Sequence, residues 1–126
     1  MGANGELVRG AYAAFGRGDI PAIVELLDGE VEWSSPATLP QGGTFHGRDG
    51  VVKFFEGVGG SWETLSIETE VVDELGANRV IGVVRGSGTL RGGSAAHYGA
   101  VHVFDLRDGK IVRFREFVDT NNAISA

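Results

Sequence analysis

The stretch HVFDLRDGKIVRFREF, residues 102–117, decides how this chain is read. Two runs of alternating apolar and polar residues flank Asp108 and Gly109, the signature of a β-hairpin. If Arg107, Asp108 and Gly109 form a three-residue loop, Leu106 pairs with Lys110 and even-numbered residues face even-numbered ones. His102, Phe104, Val112, Phe114, Glu116 and Val118 then share one face. Val101, Val103, Asp105, Arg113 and Arg115 share the other. Two arginines in water cost far less than two arginines in a core, so the even face is the inner one. His102 and Glu116 go inside with it. This register sets His102 opposite Phe114 and diagonal to Glu116, at ~7–8 Å between backbones. A two-residue turn would instead put Arg115 across from His102.

A carboxylate in an apolar wall is disfavoured by desolvation unless it finds a donor. Beside an imidazole it can fix the ring's tautomer, or serve as a general base while the ring donates to a developing oxyanion. A purely structural hydrogen bond across the hairpin is the alternative.

Upstream of the hairpin the period is first helical, then two. Leu7, Ala11 and Phe15, with Val8 and Tyr12 beside them, make the stripe of a helix closed by Gly16 and Gly18. Asp19 can cap a second helix that starts at Pro21, with Ile20, Ile23, Val24 and Leu27 on one face. VEWSSP (31–36) reads as a strand stopped by Pro36. Val51, Phe54, Phe55 and Val58 mark a third helix in GRDGVVKFFEGVGG (47–60). From residue 65 the pattern alternates: Leu65, Ile67, Thr69 and Val71 form one face of a strand, and RVIGVVRGSGTL (79–90) returns as the next. Gly82, Gly86 and Gly88 share a parity there, which points to bending or close approach of the backbone. Helices followed by antiparallel strands give an α+β fold with a pocket on the concave face of a curved sheet.

The whole chain sets outer limits. Its 126 residues fit one domain, 1–126, with 42 % apolar and 22 % charged residues. Eleven Lys and Arg against 17 Asp and Glu leave a formal charge of -6, which argues against nucleic acid. No apolar run approaches the ~20 residues of a membrane span, and no signal peptide is evident, so a cytoplasmic protein is expected. Cysteine is absent, which excludes disulfides, thiolate metal sites and a thiol nucleophile. The three histidines lack metal-ligand spacing, so no metal site is expected, and no nucleotide or nucleophile-elbow motif occurs. Trp33, Tyr12, Phe54, Tyr98 and Phe114 are candidates to line a substrate pocket, while His46 and His97 read as exposed or structural.

The segments AYAAFGRGDIPAIVELL, VEWSSP, GGTFHGRDGVVKFF and HVFDLRDGKIVRFREFVDT, in that order, resemble the SnoaL-like group of the nuclear transport factor 2-like superfamily, relatives of polyketide cyclases and ketosteroid isomerases. The resemblance spans nearly the whole chain. It implies a cone of three N-terminal helices on a curved antiparallel sheet, a pocket at its wide end and a homodimer through the sheet's outer face. It also implies a small apolar ligand and cofactor-independent chemistry: a cyclase, isomerase or lyase-type proton transfer next to a carbonyl. The same fold carries ligand-binding modules without catalysis. Glu116 and His102 look like the cyclases' acid and histidine, although the cyclases have aspartate where Glu116 stands. Ser35 occupies the place of the isomerases' general base and cannot replace it, and Tyr12 lies one position from their oxyanion tyrosine. The Asp-Arg-Asp arrangement of epoxide hydrolases finds only Arg85 and Glu116 as partial matches.

Overall fold

The N-terminal stripe folds as α1 (Ala3–Gly16), with Val8, Ala11 and Ala14 buried. Its first turn has no side-chain cap of its own. Instead the Glu74 carboxylate, distant in sequence, accepts from the Gly5 amide at 2.8 Å and places a negative charge at the positive end of the helix. Gly18 adopts a positive φ that releases the chain from α1. Asp19 then caps α2 (Ile20–Val24), accepting from the Ala22 amide. This second helix is shorter than its apolar spacing predicts. Leu27 leaves it to begin β1 (Leu27–Ser35), because its neighbour Ile111 completes a sheet ladder there: the Ile111 amide donates to the Leu26 carbonyl. The computed structural model describes residues 2–118; the last two residues of the FVDT segment, and 121–126 of the expected domain, lie outside the described residues.

After β1 a loop leads to β2 (Gly43–His46) and then to α3 (Gly47–Ser61), so only two helices are N-terminal and the third follows the first pair of strands. Four strands complete the sheet: β3 (Trp62–Glu74), β4 (Arg79–Leu90), β5 (Ala95–Arg107) and β6 (Lys110–Val118). Their order is β2-β1-β6-β5-β4-β3. The sheet is not wholly antiparallel as expected, because β1 pairs with β6 in parallel. That pairing sets Trp33 beside Phe114 and brings the end of β1 next to Glu116. Helix α1 packs on β3 and β4, and α3 on β1, β2 and β3, closing one face of the sheet.

The β5–β6 hairpin differs from its expected form in a way that preserves its consequence. Asp108 and Gly109 both have positive φ and make a two-residue turn, with Arg107 opposite Lys110. Left alone, that turn would set His102 against Arg115. A bulge next to Asp105 and Leu106 adds one residue on β6, where Val112 has no partner, and shifts the register by one. His102 therefore lies directly opposite Glu116, and Phe104 opposite Phe114. Val112, expected on the inner face, is displaced from it, and Ile111 is buried in its place. A second bulge in β3 between Thr69 and Val71 turns Val71 outward, 40 % exposed, and buries Val72. Of the outer arginines, Arg113 is exposed, while Arg115 is half-buried with Nη2 3.6 Å from Asp105.

Candidate active site

Between the helices and the concave face lies a cavity whose atom-free space, its open mouth included, is about 570 Å³. Tyr12, Trp33, Phe54, Tyr98 and Phe114 all line it, as do His102 and Glu116. His46 and His97 are exposed and take no part. Arg85, half of the poor epoxide hydrolase match, is on the outer face in an ion pair with Glu70 at 2.6 Å.

Trp33 forms one wall, its ring stacked on Phe114 with centroids 4.0 Å apart and flanked by Phe54 and Phe55. Its indole N–H is buried with no partner among the described residues. Phe114 also meets the His102 ring edge-on at 4.9 Å. The wall is thus a set of flat faces, suited to a flat ligand.

One polar chain runs through this apolar lining. His102 and Glu116 are 6 % and 8 % exposed, and His102 Nε2 is 2.8 Å from Glu116 Oε2. Ser35 Oγ donates to the other carboxylate oxygen at 2.5 Å, and the Tyr12 hydroxyl is 2.8 Å from His102 Nδ1. With the carboxylate as acceptor, Nε2 carries the imidazole proton and Nδ1 accepts from Tyr12. Burial, aided by the negative charge of Glu116, holds the Tyr12 hydroxyl well above the ordinary phenol range, so it remains a neutral O–H. The same two causes raise Tyr98, with the Gln41 side-chain amide acting in the opposite sense.

Backbone makes room for both tyrosines. A Cβ on Gly82 would collide with the Tyr12 hydroxyl, and one on Gly86 would collide with the Tyr98 ring. The shared parity of these glycines, read as close approach, has this as its physical cause. Gln41 is a site residue that sequence reasoning missed, as it missed the role of Ser35, weighed only as a replacement for the isomerases' base and here the donor to Glu116. Ser35 reaches Glu116 only through the parallel β1–β6 pairing, which no local pattern announces. Gln41 is buried in the loop before β2, where its Oε1 accepts from the Trp62 indole at 3.0 Å. Among the described residues no group of three or more His, Cys, Asp or Glu could hold a metal ion, and no helix is long and apolar enough to cross a membrane.

A curved sheet wrapped by helices around an aromatic cavity, with an acid and an imidazole on neighbouring strands, defines a nuclear transport factor 2-like cone. The chain belongs to the SnoaL-like domain family, whose family model matches residues 8–114. Among solved structures it resembles a nuclear transport factor 2-like protein from Burkholderia thailandensis, with 32% identity over 96% of this chain and 94% of that one, at a TM-score of 0.87. A nuclear transport factor 2-like protein from Burkholderia pseudomallei shares 29% identity over 97% and 95%, with a TM-score of 0.88. TerC, co-crystallised with polyporic acid, shares 29% identity over 95% and 94%, with a TM-score of 0.83. No curated protein sequence matches.

Proposed function

We propose that this protein is a cofactor-independent acid–base catalyst that moves a proton next to a carbonyl of a small, flat, apolar substrate, as a cyclase, isomerase or lyase would. The observation that carries this reading is the His102–Glu116 pair, buried at 2.8 Å and opening onto an aromatic cavity. A positioned base and a hydrogen-bonded acid are the two parts that enolisation needs. Glu116 takes the role of base, and the imidazole holds the proton in transit. Trp33, Phe54, Tyr98 and Phe114 hold the ring system, and the similar protein TerC is co-crystallised with a small molecule, polyporic acid.

Exchange of the α-hydrogens of 2-tetralone in D₂O, followed by proton NMR, tests the proposal. Glu116→Gln and His102→Ala should each slow enzyme-dependent exchange by about 100-fold or more. Equal exchange in wild type and both variants would refute it. The homodimer is part of the same proposal. Val101 and Phe117, 37 % and 52 % exposed, form an apolar patch on the outer face with Val83, and a second copy would cover it.

A further inference from the structure

Gln41 and Tyr98 line the cavity apart from the chain of Ser35, Glu116, His102 and Tyr12, and neither bonds to it. On β5 Tyr98 stands four residues before His102, roughly 13 Å of strand. Its ring lies over β4 at Gly86, its neighbour across the ladder, where a Cβ would collide with it. Gln41 sits in a loop folded back on itself. There the Leu39 amide donates to the Pro36 carbonyl, the Gly42 amide donates to the Leu39 carbonyl, and a Cβ on Gly42 would strike Pro36. Backbone thus fixes both side chains.

The orientation of the Gln41 amide follows from its partner. The Trp62 indole can only donate, so the atom 3.0 Å from it is Oε1, and Nε2 is the other end. The hydrogen bond between that amide and Tyr98 runs to the phenol oxygen, the sense that favours loss of the phenol proton. Burial and the charge of Glu116 outweigh it and keep Tyr98 a neutral O–H. One amide N–H and the Tyr98 O–H are left over, with no other partner among the described residues. A buried donor without an acceptor is unfavourable, and an oxygen brought by a ligand removes the penalty.

The opposite end of the cavity has no donor to compete. The Tyr12 proton goes to Nδ1, the Nε2 and Ser35 protons go to Glu116, and what remains there for a ligand is lone pairs. Among the described residues that line the cavity there is no lysine or arginine, and the negative charge of Glu116 repels an anion. We propose that Gln41 and Tyr98 form a second binding station, which donates two hydrogen bonds to a neutral carbonyl oxygen. The ligand class is a flat ring system with a ketone at this end. Its reacting C–H lies toward Glu116, a detail that rests on the acid–base reading above.

Calorimetric titration with 2-acetylnaphthalene and 2-isopropenylnaphthalene tests the station, because the pair differs only in a carbonyl oxygen replaced by a methylene group. The ratio of the two dissociation constants within one protein cancels changes in the apolar walls. Wild type should favour the ketone by about tenfold, and Tyr98→Phe should reduce this to less than about threefold. An undiminished ratio in Tyr98→Phe overturns the proposal, as does a ratio lost in Tyr12→Phe instead, which would put the carbonyl at the far end. 2-Naphthoate should bind wild type about tenfold more weakly than the ketone, and equal or tighter binding of the anion would overturn the neutral class. The wild-type protein gives a further measurement: the carbonyl stretch of bound 2-acetylnaphthalene should fall below its frequency in hexane. An unshifted band would overturn the contact. None of these measurements involves proton exchange. Exchange abolished by Glu116→Gln in a protein with no ketone preference would end the station and leave the acid–base reading standing. A ketone preference with exchange insensitive to Glu116→Gln would do the reverse.

Discussion

Replacing Gly82 with alanine tests the seat of the tyrosine with a single methyl group. The φ of Gly82 is one that any residue can adopt, so the backbone gains about 0.5 kcal/mol from the substitution. Against this, the new Cβ falls onto the Tyr12 hydroxyl, and the ring carbon bearing that hydroxyl lies 3.2 Å from the Cβ position. Tyr12 must move, which strips His102 Nδ1 of its partner at a cost of about 1–2 kcal/mol, and repacking α1 adds about 1 more. The net loss is roughly 2 kcal/mol, or a fall in melting temperature of roughly 8 °C for a domain of this size. Tyr12→Phe removes the colliding oxygen. In that background alanine at 82 should therefore cost less than about 0.5 kcal/mol, and a coupling of at least about 1 kcal/mol should appear in the double-mutant cycle. Urea unfolding of the four proteins measures each corner. An alanine that costs the same with tyrosine and with phenylalanine at position 12 would refute the claim that Gly82 is there to seat the hydroxyl.

Alkaline conditions probe the two buried tyrosines. Each holds its proton more tightly in the folded protein than at the ordinary value of 10.0, so the unfolded chain releases protons first as pH rises. Stability is fully present below pH 10 and falls above it, for Tyr98 by about 1.4 kcal/mol per pH unit, and Tyr98→Phe should flatten melting curves recorded from pH 9 to 11.5. A slope unchanged by that substitution would count against the buried hydroxyl. If the protein forms the proposed homodimer, Phe117→Glu should convert it to a monomer in sedimentation at micromolar concentration; a wild type already monomeric would dispose of the interface. Deleting Val112 removes only the unpaired residue and leaves Leu106 opposite Ile111 and His102 opposite Glu116, so the variant should keep a cooperative unfolding transition, and loss of that transition would show that the bulge itself is needed.

Parity explains why so much of the site was legible. The alternation in residues 102–117 places His102 and Glu116 on the inner face because arginines belong in water, and that argument tolerates an error in the turn. The turn was misread: Asp108 and Gly109 form the tighter loop, and the residue missing there reappears as the bulge at Val112. Nothing about an isoleucine followed by a valine signals a bulge, so the exact pairing was beyond local reasoning. The same holds for Val71, whose strand pattern continues smoothly through a bulge, and for Leu27, whose helical spacing lost to a ladder closed by a residue 84 positions away. Ser35 shows the limit most clearly. Its role as donor to Glu116 depends on a parallel pairing between the first strand and the last, a relation of topology and not of spacing.

The bare stretches of main chain beneath Tyr12 and Tyr98 bear on how such a cone acquires new substrates. Where the floor under an aromatic ring is glycine, trimming the ring opens the chamber down to the peptide plane, and enlarging the floor pushes the ring inward. Ligand preference can thus drift by paired exchanges at the glycine and the ring above it, leaving the scaffold that carries the acid and the imidazole undisturbed.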